Sequence, residues 1–293
     1  MNAVDSVLNQ TYKDIELIVV DDNDPETEYR TKTATLMQKY ESDSRVRYIC
    51  HEKNMNGAVA RNTGIKAAKG DFICFLDDDD LYYTNKVEEE LKYLLIHPEI
   101  DACYCWRKQF GKVIKRKDEE NLTKNILLEI FCPSTPALMF RKAVLEDLGG
   151  FNPYYRRHQE NELLLRFLQK YRIGYVDKVL VEVIGCDGAN QLHEKELEDL
   201  DIRYINDFKL QINNIDSGKC KKKIYAHYYL EVSSDYIKHR KIERGGLFLS
   251  KAFVIDPAYT LFRIVKHLIR KTKIVSIWKN ITVCKYVRGN RIE

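Results

Sequence analysis

The sequence lacks several things, and each absence removes a class of protein. It has no signal-peptide pattern and no apolar run of about 18 residues, so nothing is expected to span a membrane. It has eight cysteines, at 50, 74, 103, 105, 132, 186, 220 and 284, but no two pairs stand at zinc-finger spacing. Several sit inside apolar runs, and Cys103-Tyr104-Cys105 alternates as a strand does. Buried free thiols in a reducing cytosol are therefore expected, which puts the chain in the cytoplasm. There is no long internal repeat and no nucleic-acid reader motif, so no nucleic-acid partner is expected. Net charge is also low, at +4, yet unevenly spread. From Ile202 onward 20 Lys and Arg face 7 Asp and Glu, whereas the preceding residues carry 28 against 37. That asymmetry points the C-terminal part toward an anionic partner. The 293 residues, 44% hydrophobic and 31% charged, read as a soluble globular chain able to bury a sizeable core.

The chain is organised around Asp71-Phe72-Ile73-Cys74-Phe75-Leu76-Asp77-Asp78-Asp79-Asp80. Phe72 to Leu76 is apolar throughout, the pattern of a strand buried on both faces, and it stops in four carboxylates. Open α/β sheets place their ligands at this carboxyl end. Adjacent anionic side chains repel unless water or a cation screens them, and hard oxygen donors suit Mg²⁺ or Mn²⁺. A solvated acidic turn would look the same in isolation, so the flanking sequence has to decide.

Val4, Val7 and Leu8 share a face of an opening helix closed by Gln10-Thr11-Tyr12. Ile15 to Val20 is a second buried strand, again ending in carboxylates, at Asp21-Asp22-Asn23-Asp24-Pro25. The pattern predicts a helix over Glu28 to Glu41, a strand over Val46 to Cys50, and a helix over Ala58 to Lys69 stopped by Gly70. Further on come helices over Lys86 to His97, Arg141 to Leu148 and His158 to Tyr171, with strands over Ala102 to Trp106, Lys112 to Lys115 and Tyr175 to Ile184. This alternation argues a mostly parallel sheet with crossover helices.

Four stretches, Ser6-Val7-Leu8-Asn9-Gln10-Thr11-Tyr12, Glu16-Leu17-Ile18-Val19-Val20-Asp21-Asp22, Ala60-Arg61-Asn62-Thr63-Gly64-Ile65 and Phe75-Leu76-Asp77-Asp78-Asp79-Asp80, resemble the family 2 glycosyltransferases. The resemblance continues through Leu148-Gly149-Gly150-Phe151 and Arg157-His158-Gln159-Glu160-Asn161-Glu162, covers roughly Met1 to Val183 and then fades. It implies an α/β fold of the GT-A type, a nucleotide-sugar-binding sheet with flanking helices over residues 1–196. A basic helical region over 197–293 follows. One departure is that family members open with a strand ahead of the helix at which this chain begins. That strand lies centrally, so its absence implies two neighbouring strands with unpaired backbone groups.

The resemblance also implies roles. Asp77 and Asp79 are the Asp-x-Asp pair that holds Mn²⁺ or Mg²⁺ against a diphosphate, and the ion then acts as a Lewis acid on the leaving group. Asp21, Asp22, Arg61, Asp77 and Asp78 face the nucleotide sugar, and Asp80 adds a supporting contact or caps the next helix. Glu160 is the implied catalytic base, with Asp187 next in line. A helix N-terminus favours the charged form of a carboxylate. Glu replaces the commoner Asp here, a displacement of roughly 1.5 Å. His158 and His193 are candidate metal or phosphate ligands, although an ordinary surface or core histidine is the commoner reading.

The expected activity is inverting transfer of a sugar from a nucleotide-sugar donor, a UDP-sugar first among them. The acceptor is a glycan or lipid-linked hydroxyl in cell-surface polysaccharide synthesis. A non-catalytic remnant of the same fold, acting as a binding or scaffolding module, is the alternative, and the absent strand favours it. A phosphoacceptor domain would also cluster aspartates at strand ends, but it has no use for Arg61-Asn62 or Gly149-Gly150-Phe151. In the tail, Leu261, Ile264, Val265, Leu268 and Ile269 form an apolar stripe beside Arg263, Lys266, Arg270 and Lys271. This is either a packed helix or one that rests peripherally on an anionic membrane, at its inner face.

Overall fold

The computed structural model describes residues 3–116, 122–184, 192–215 and 217–271. Its chain divides into two compact units, Met1–Leu192 and His193–Glu293.

In the first unit α1 (Ala3–Leu8) leads to β1 (Leu17–Asp21), α2 (Glu28–Met37), β2 (Val46–Cys50), α3 (Gly57–Ala67) and β3 (Phe72–Cys74). Then come β4 (Leu81–Tyr82), α4 (Lys86–Ile96), β5 (Ala102–Gln109), β6 (Lys112–Ile114), α5 (Leu122–Leu127) and β7 (Leu138–Arg141). The unit closes with α6 (Lys142–Asp147), α7 (Gln159–Phe167) and β8 (Ile173–Val183). Local chemistry explains several boundaries. Thr27 caps α2 by accepting the Arg30 amide, and Asn56 caps α3 by accepting the amides of Ala58 and Val59. Buried Gln10 donates to the carbonyls of Ser6 and Tyr83 and accepts the Val87 amide, tying α1 to the start of α4.

The strands form two sheets. Strand β1 pairs with β2 in parallel, from Leu17 opposite Val46 to Asp21 opposite Cys50. The larger sheet runs β3-β7-β5-β8-β4, with β6 hairpinned onto β5. Pairing is parallel between β5 and β8 but antiparallel at β3–β7, β5–β7, β4–β8 and β5–β6. The sheet is thus mixed where the sequence pattern implied mostly parallel. Strand–helix–strand crossovers fix direction only as far as β3. Strand β7 is instead entered from a single 3-10 turn, Thr135–Ala137, and hairpins need no crossover. Among the described residues β1 pairs only with β2 and β3 only with β7, so each keeps one unpaired edge. Leu17 of β1 and Phe72 and Cys74 of β3 pack against one shared cluster built on Cys103, Cys105, Met139 and Val181. Leu17 to Val20, read as fully buried, are only half-buried.

The second unit is helical: α8 (Glu194–Asp207), α9 (Lys209–Asn213), α10 (Gly218–Lys238), α11 (Ile242–Ile255) and α12 (Pro257–Lys271). Its core includes Val232, Tyr236 and Phe248, with Gly245 close against α10. A Cβ on Gly245 would stand 2.6 Å from Ile237 and 3.2 Å from the Ser233 carbonyl. No described helix is long and apolar enough to cross a membrane. The six described cysteines are all free, and Cys103, Cys105 and Cys220 are buried.

Candidate active site

The parallel β1–β2 pair brings the residues after both strands to one edge. Just past β1, Asp22 accepts His51 Nδ1–H at 2.7 Å and the Met55 amide at 2.8 Å. His51 follows β2, and its Nε2 is hydrogen-bonded to the Thr63 hydroxyl of α3 at 2.8 Å. Asp22 is thereby fixed on three elements while its side chain stays 15% exposed. Asp21 differs. Its side chain is fully buried, its Oδ1 accepts from the Asn23 amide and side chain, and its Oδ2 accepts from Tyr48 and lies 3.5 Å from Arg30. Burial and this bond push the Tyr48 phenol well above its usual range. Asp21 braces the edge, and Asp22 alone of the two retains exposed surface.

At the end of β3 the four aspartates fold into a turn, with the Asp80 amide bonded to the Asp77 carbonyl at 3.1 Å. Asp77 is half-buried, Asp78 and Asp79 are exposed, and Asp80 is buried. Asp80 accepts the Ile184 amide at 2.9 Å, and the residue at the start of α4 is Asn85. Asp80 therefore fastens the end of β8 and does not cap the next helix.

Arg61 joins the two halves of the site. From α3 its guanidinium donates to Asp77 at 2.7 Å and to Gln159, the first residue of α7, at 2.7 Å. The Phe151 ring lies 5.5 Å from the guanidinium and meets Phe75 edge-on at 5.2 Å. Phe151 is itself held by Asn62, whose side-chain amide donates to the Phe151 carbonyl at 2.7 Å and accepts its amide at 2.8 Å. Gly149 and Gly150 both adopt φ +71°, and a Cβ on Gly150 would fall 2.3 Å from Asn62 Oδ1. The Arg61-Asn62 and Gly149-Gly150-Phe151 motifs are two sides of one joint.

Glu160 follows Gln159 in the first turn of α7 and is half-buried. Its charge acts on Arg107 at the end of β5. Burial lowers the Arg107 pKa, and Cys132, Glu160 and Asp80 pull it back up. The Arg107 guanidinium also donates to the Cys132 carbonyl at 3.2 Å. In this neighbourhood His51 and Arg107 were not singled out from sequence, and Thr63 and Gln159 entered only as members of the resembling stretches. His51 follows a strand just as Asp22 does, so the strand-end rule that found Asp22 would have found it too. Arg107 had no such signal, because β5 runs past the expected Trp106. Asp187 lies outside the described residues, and His158 sits 3.4 Å from Glu129 with its side chain 7% exposed.

The donor set fits a hard divalent cation. Asp77 and Asp79 offer carboxylate oxygens beside exposed Asp78. Among the described residues, no three ligating side chains at this strand end lie within 4.8 Å of one another. A pair of carboxylates that leaves most of the shell to water and phosphate oxygens is how Mg²⁺ and Mn²⁺ are usually held.

Residues 2–157 match the model of glycosyl transferase family 2. The chain belongs to that family. Among curated relatives, an uncharacterized glycosyltransferase of Rickettsia felis is 32% identical over 194 residues, 65% of this chain and 31% of that protein. The chain spans about a third of the length of the first such relatives. An Escherichia coli protein, UDP-Glc:alpha-D-GlcNAc-diphosphoundecaprenol beta-1,3-glucosyltransferase WfgD, is 41% identical over 93 residues, 32% of this chain and 34% of its own. Of solved structures, Staphylococcus aureus TarS 1-349 with UDP aligns at TM-score 0.53 and 16% identity, covering 83% of this chain and 84% of that one. The mannosyltransferase PcManGT of Pyrobaculum calidifontis, with GDP-Man and Mn²⁺, aligns at TM-score 0.53 and 16% identity over 98% of this chain and 83% of its own. The fold of this family 2 member is of the GT-A type.

Proposed function

We propose that the protein is an inverting, metal-dependent glycosyltransferase. It moves a sugar from a nucleotide-sugar donor, a UDP-sugar in the first instance, to a hydroxyl of a glycan or lipid-linked acceptor in cell-surface polysaccharide synthesis. The observation that carries the reading is the line Asp77–Arg61–Gln159, which brings the strand-end carboxylates beside the helix that begins with Glu160. Further support comes from WfgD, named for a UDP-Glc donor and a diphosphoundecaprenol acceptor.

Asp77 and Asp79 would hold Mn²⁺ or Mg²⁺, which when bound supplies positive charge for a departing diphosphate. Arg61 fixes Asp77, Asp22 and Asp78 face the nucleotide sugar, and Asp21 stiffens the edge behind them. Glu160 accepts the proton of the acceptor hydroxyl as its oxygen bonds to the anomeric carbon and the bond from that carbon to the diphosphate oxygen breaks. One displacement of this kind inverts the sugar's configuration. The work is cytoplasmic, with peripheral contact at the inner membrane face where a lipid-linked acceptor would lie.

The test is a panel of nucleotide sugars with Mn²⁺ or with excess chelator, run on the wild type and on Glu160→Gln. One donor should turn over, chelator should stop it, and the variant should transfer at least ~10²-fold more slowly while still binding the donor. The alternative is a non-catalytic module of the same fold that binds or scaffolds. Donor binding without turnover in the wild type would decide for it.

A further inference from the structure

The helical unit carries a side-chain cluster that the transferase reading leaves unused. His193, just before α8, and Asp235 and His239, one turn apart at the end of α10, each present a ligating atom, all within 4.8 Å of one another. His193 Nδ1 stands 3.1 Å from Asp235 Oδ1, and His239 Nδ1 stands 3.5 Å from Asp235 Oδ2. The two imidazole rings have their centroids 4.8 Å apart. Bonds of about 2.0–2.1 Å to a tetrahedral ion put neighbouring ligand atoms about 3.3 Å apart. The His193 separation is close to that value, and His239 Nδ1 also stands 3.0 Å from the Asp235 main-chain carbonyl, a contact that orients its ring beside the carboxylate.

The surroundings suit a cation. Asp235 Oδ2 also accepts the Glu194 amide, which holds the carboxylate in place. His193 occupies the position that would cap α8, yet its side chain makes no capping bond. The cations next to Asp235 in sequence are directed elsewhere: Lys241 pairs with Glu194, and Lys238 and Arg240 are exposed. An N₂O set with a single negative charge favours Zn²⁺ and its transition-metal neighbours over Mg²⁺ or Ca²⁺. The strand-end aspartates, all oxygen, have the opposite preference.

We propose that His193, Asp235 and His239 bind one zinc-class ion, clipping the start of α8 to the end of α10. Three protein ligands leave one position for water. Because such an ion binds only the folded arrangement, it stabilises the unit. The proposal stands apart from catalysis and does not depend on it.

The experiment uses the full chain, stripped with chelator and exchanged into metal-free buffer without nucleotide. Titration with Co²⁺ should give the intense visible d–d bands of a four-coordinate, nitrogen-containing site, and Zn²⁺ should displace them at one equivalent. Zn²⁺ should also raise the melting temperature, with Mg²⁺ having no such effect. His193→Ala and His239→Ala, both at partly exposed positions, should each weaken Co²⁺ binding by more than the ~10- to 100-fold that follows loss of an outer partner. Asp79→Asn should leave the bands intact, which separates this site from the strand-end carboxylates. Wild type without those bands, or bands and melting shifts that persist in both histidine variants, would overturn the proposal. Circular dichroism of each variant confirms that a lost signal is not lost folding.

Discussion

Asp77 has its Oδ1 occupied by Arg61, while Asp79 lies exposed at the turn. Asp79→Asn removes one hard anionic donor and leaves the Arg61 bond in place. It should weaken Mn²⁺-dependent nucleotide binding and abolish most transfer with little change in melting temperature, as calorimetry and turnover assays will read. The two glycines before Phe151 allow a finer test. Both have φ +71°, but only Gly150 faces Asn62 closely; around a Cβ on Gly149 nothing lies within 4 Å. Gly149→Ala should cost about 1 kcal/mol for the left-handed backbone alone. Gly150→Ala should cost roughly 2 kcal/mol or more and lower activity as well, because Asn62 must give way. Denaturant midpoints of the two variants measure the difference. Of the individual side chains, strand-end carboxylates were legible because an apolar run that stops in aspartates marks a sheet edge, and the flanking motifs decided against a plain acidic turn. Asp21 and Asp80 were legible as acids at an edge but not as buried braces. Their partners, Tyr48 and the Ile184 amide, come from 27 and 104 residues away.

At the scale of elements, α8, α10 and α11 meet around Glu198. Its carboxylate accepts from Tyr236 at 2.7 Å and from Arg244 through two nitrogens, with Lys195 at 3.3 Å. Burial acts to raise its pKa, but the bonds from Arg244, Tyr236 and Lys195 outweigh it, bringing the value from 4.5 down to about 2. A lowered folded-state pKa means the stabilisation is fully present above about 4.5 and is lost as pH falls toward 2. Glu198→Gln should therefore cost about 1–3 kcal/mol at pH 7 and much less near pH 2, as denaturation followed by circular dichroism across that range will show. Helix α12 poses a different question. Thr260 is buried, and Arg263 reaches Glu231 at 3.0 Å, yet Leu261, Phe262, Val265 and Leu268 are exposed. Such a stripe beside Lys266 suits either a packing face or the proposed peripheral membrane contact, and liposomes test the latter. Pelleting with anionic but not neutral liposomes, weakened by salt and by charge reversal of Lys266, Arg270 and Lys271, is the expected outcome. Helices such as α4 and α7 could be placed from periodicity alone. Strand β7 could not be oriented, since direction in a mixed sheet is set by partners distant in sequence.

The whole first unit shows the same division between local and distant information. The order of the resembling motifs along the first 80 residues was enough to expect the GT-A fold, and the alternation of strands and helices there is local in sequence. The larger sheet's mixed course was not, since β3 finds β7 only after β4, α4, β5, β6 and α5 have intervened. The joint that assembles the site spans still more chain: Arg61 meets Gln159 at a separation of 98 residues, and Asn62 meets Phe151 at 89. This has a consequence in time. A ribosome adds ~5–20 residues per second, so β3 leaves it roughly 3–13 s before β7 arrives to pair with it. The Arg61–Gln159 contact waits somewhat longer. During that interval the nascent chain carries an apolar strand without its β7 partner, and whatever shields that strand raises the share of chains that fold.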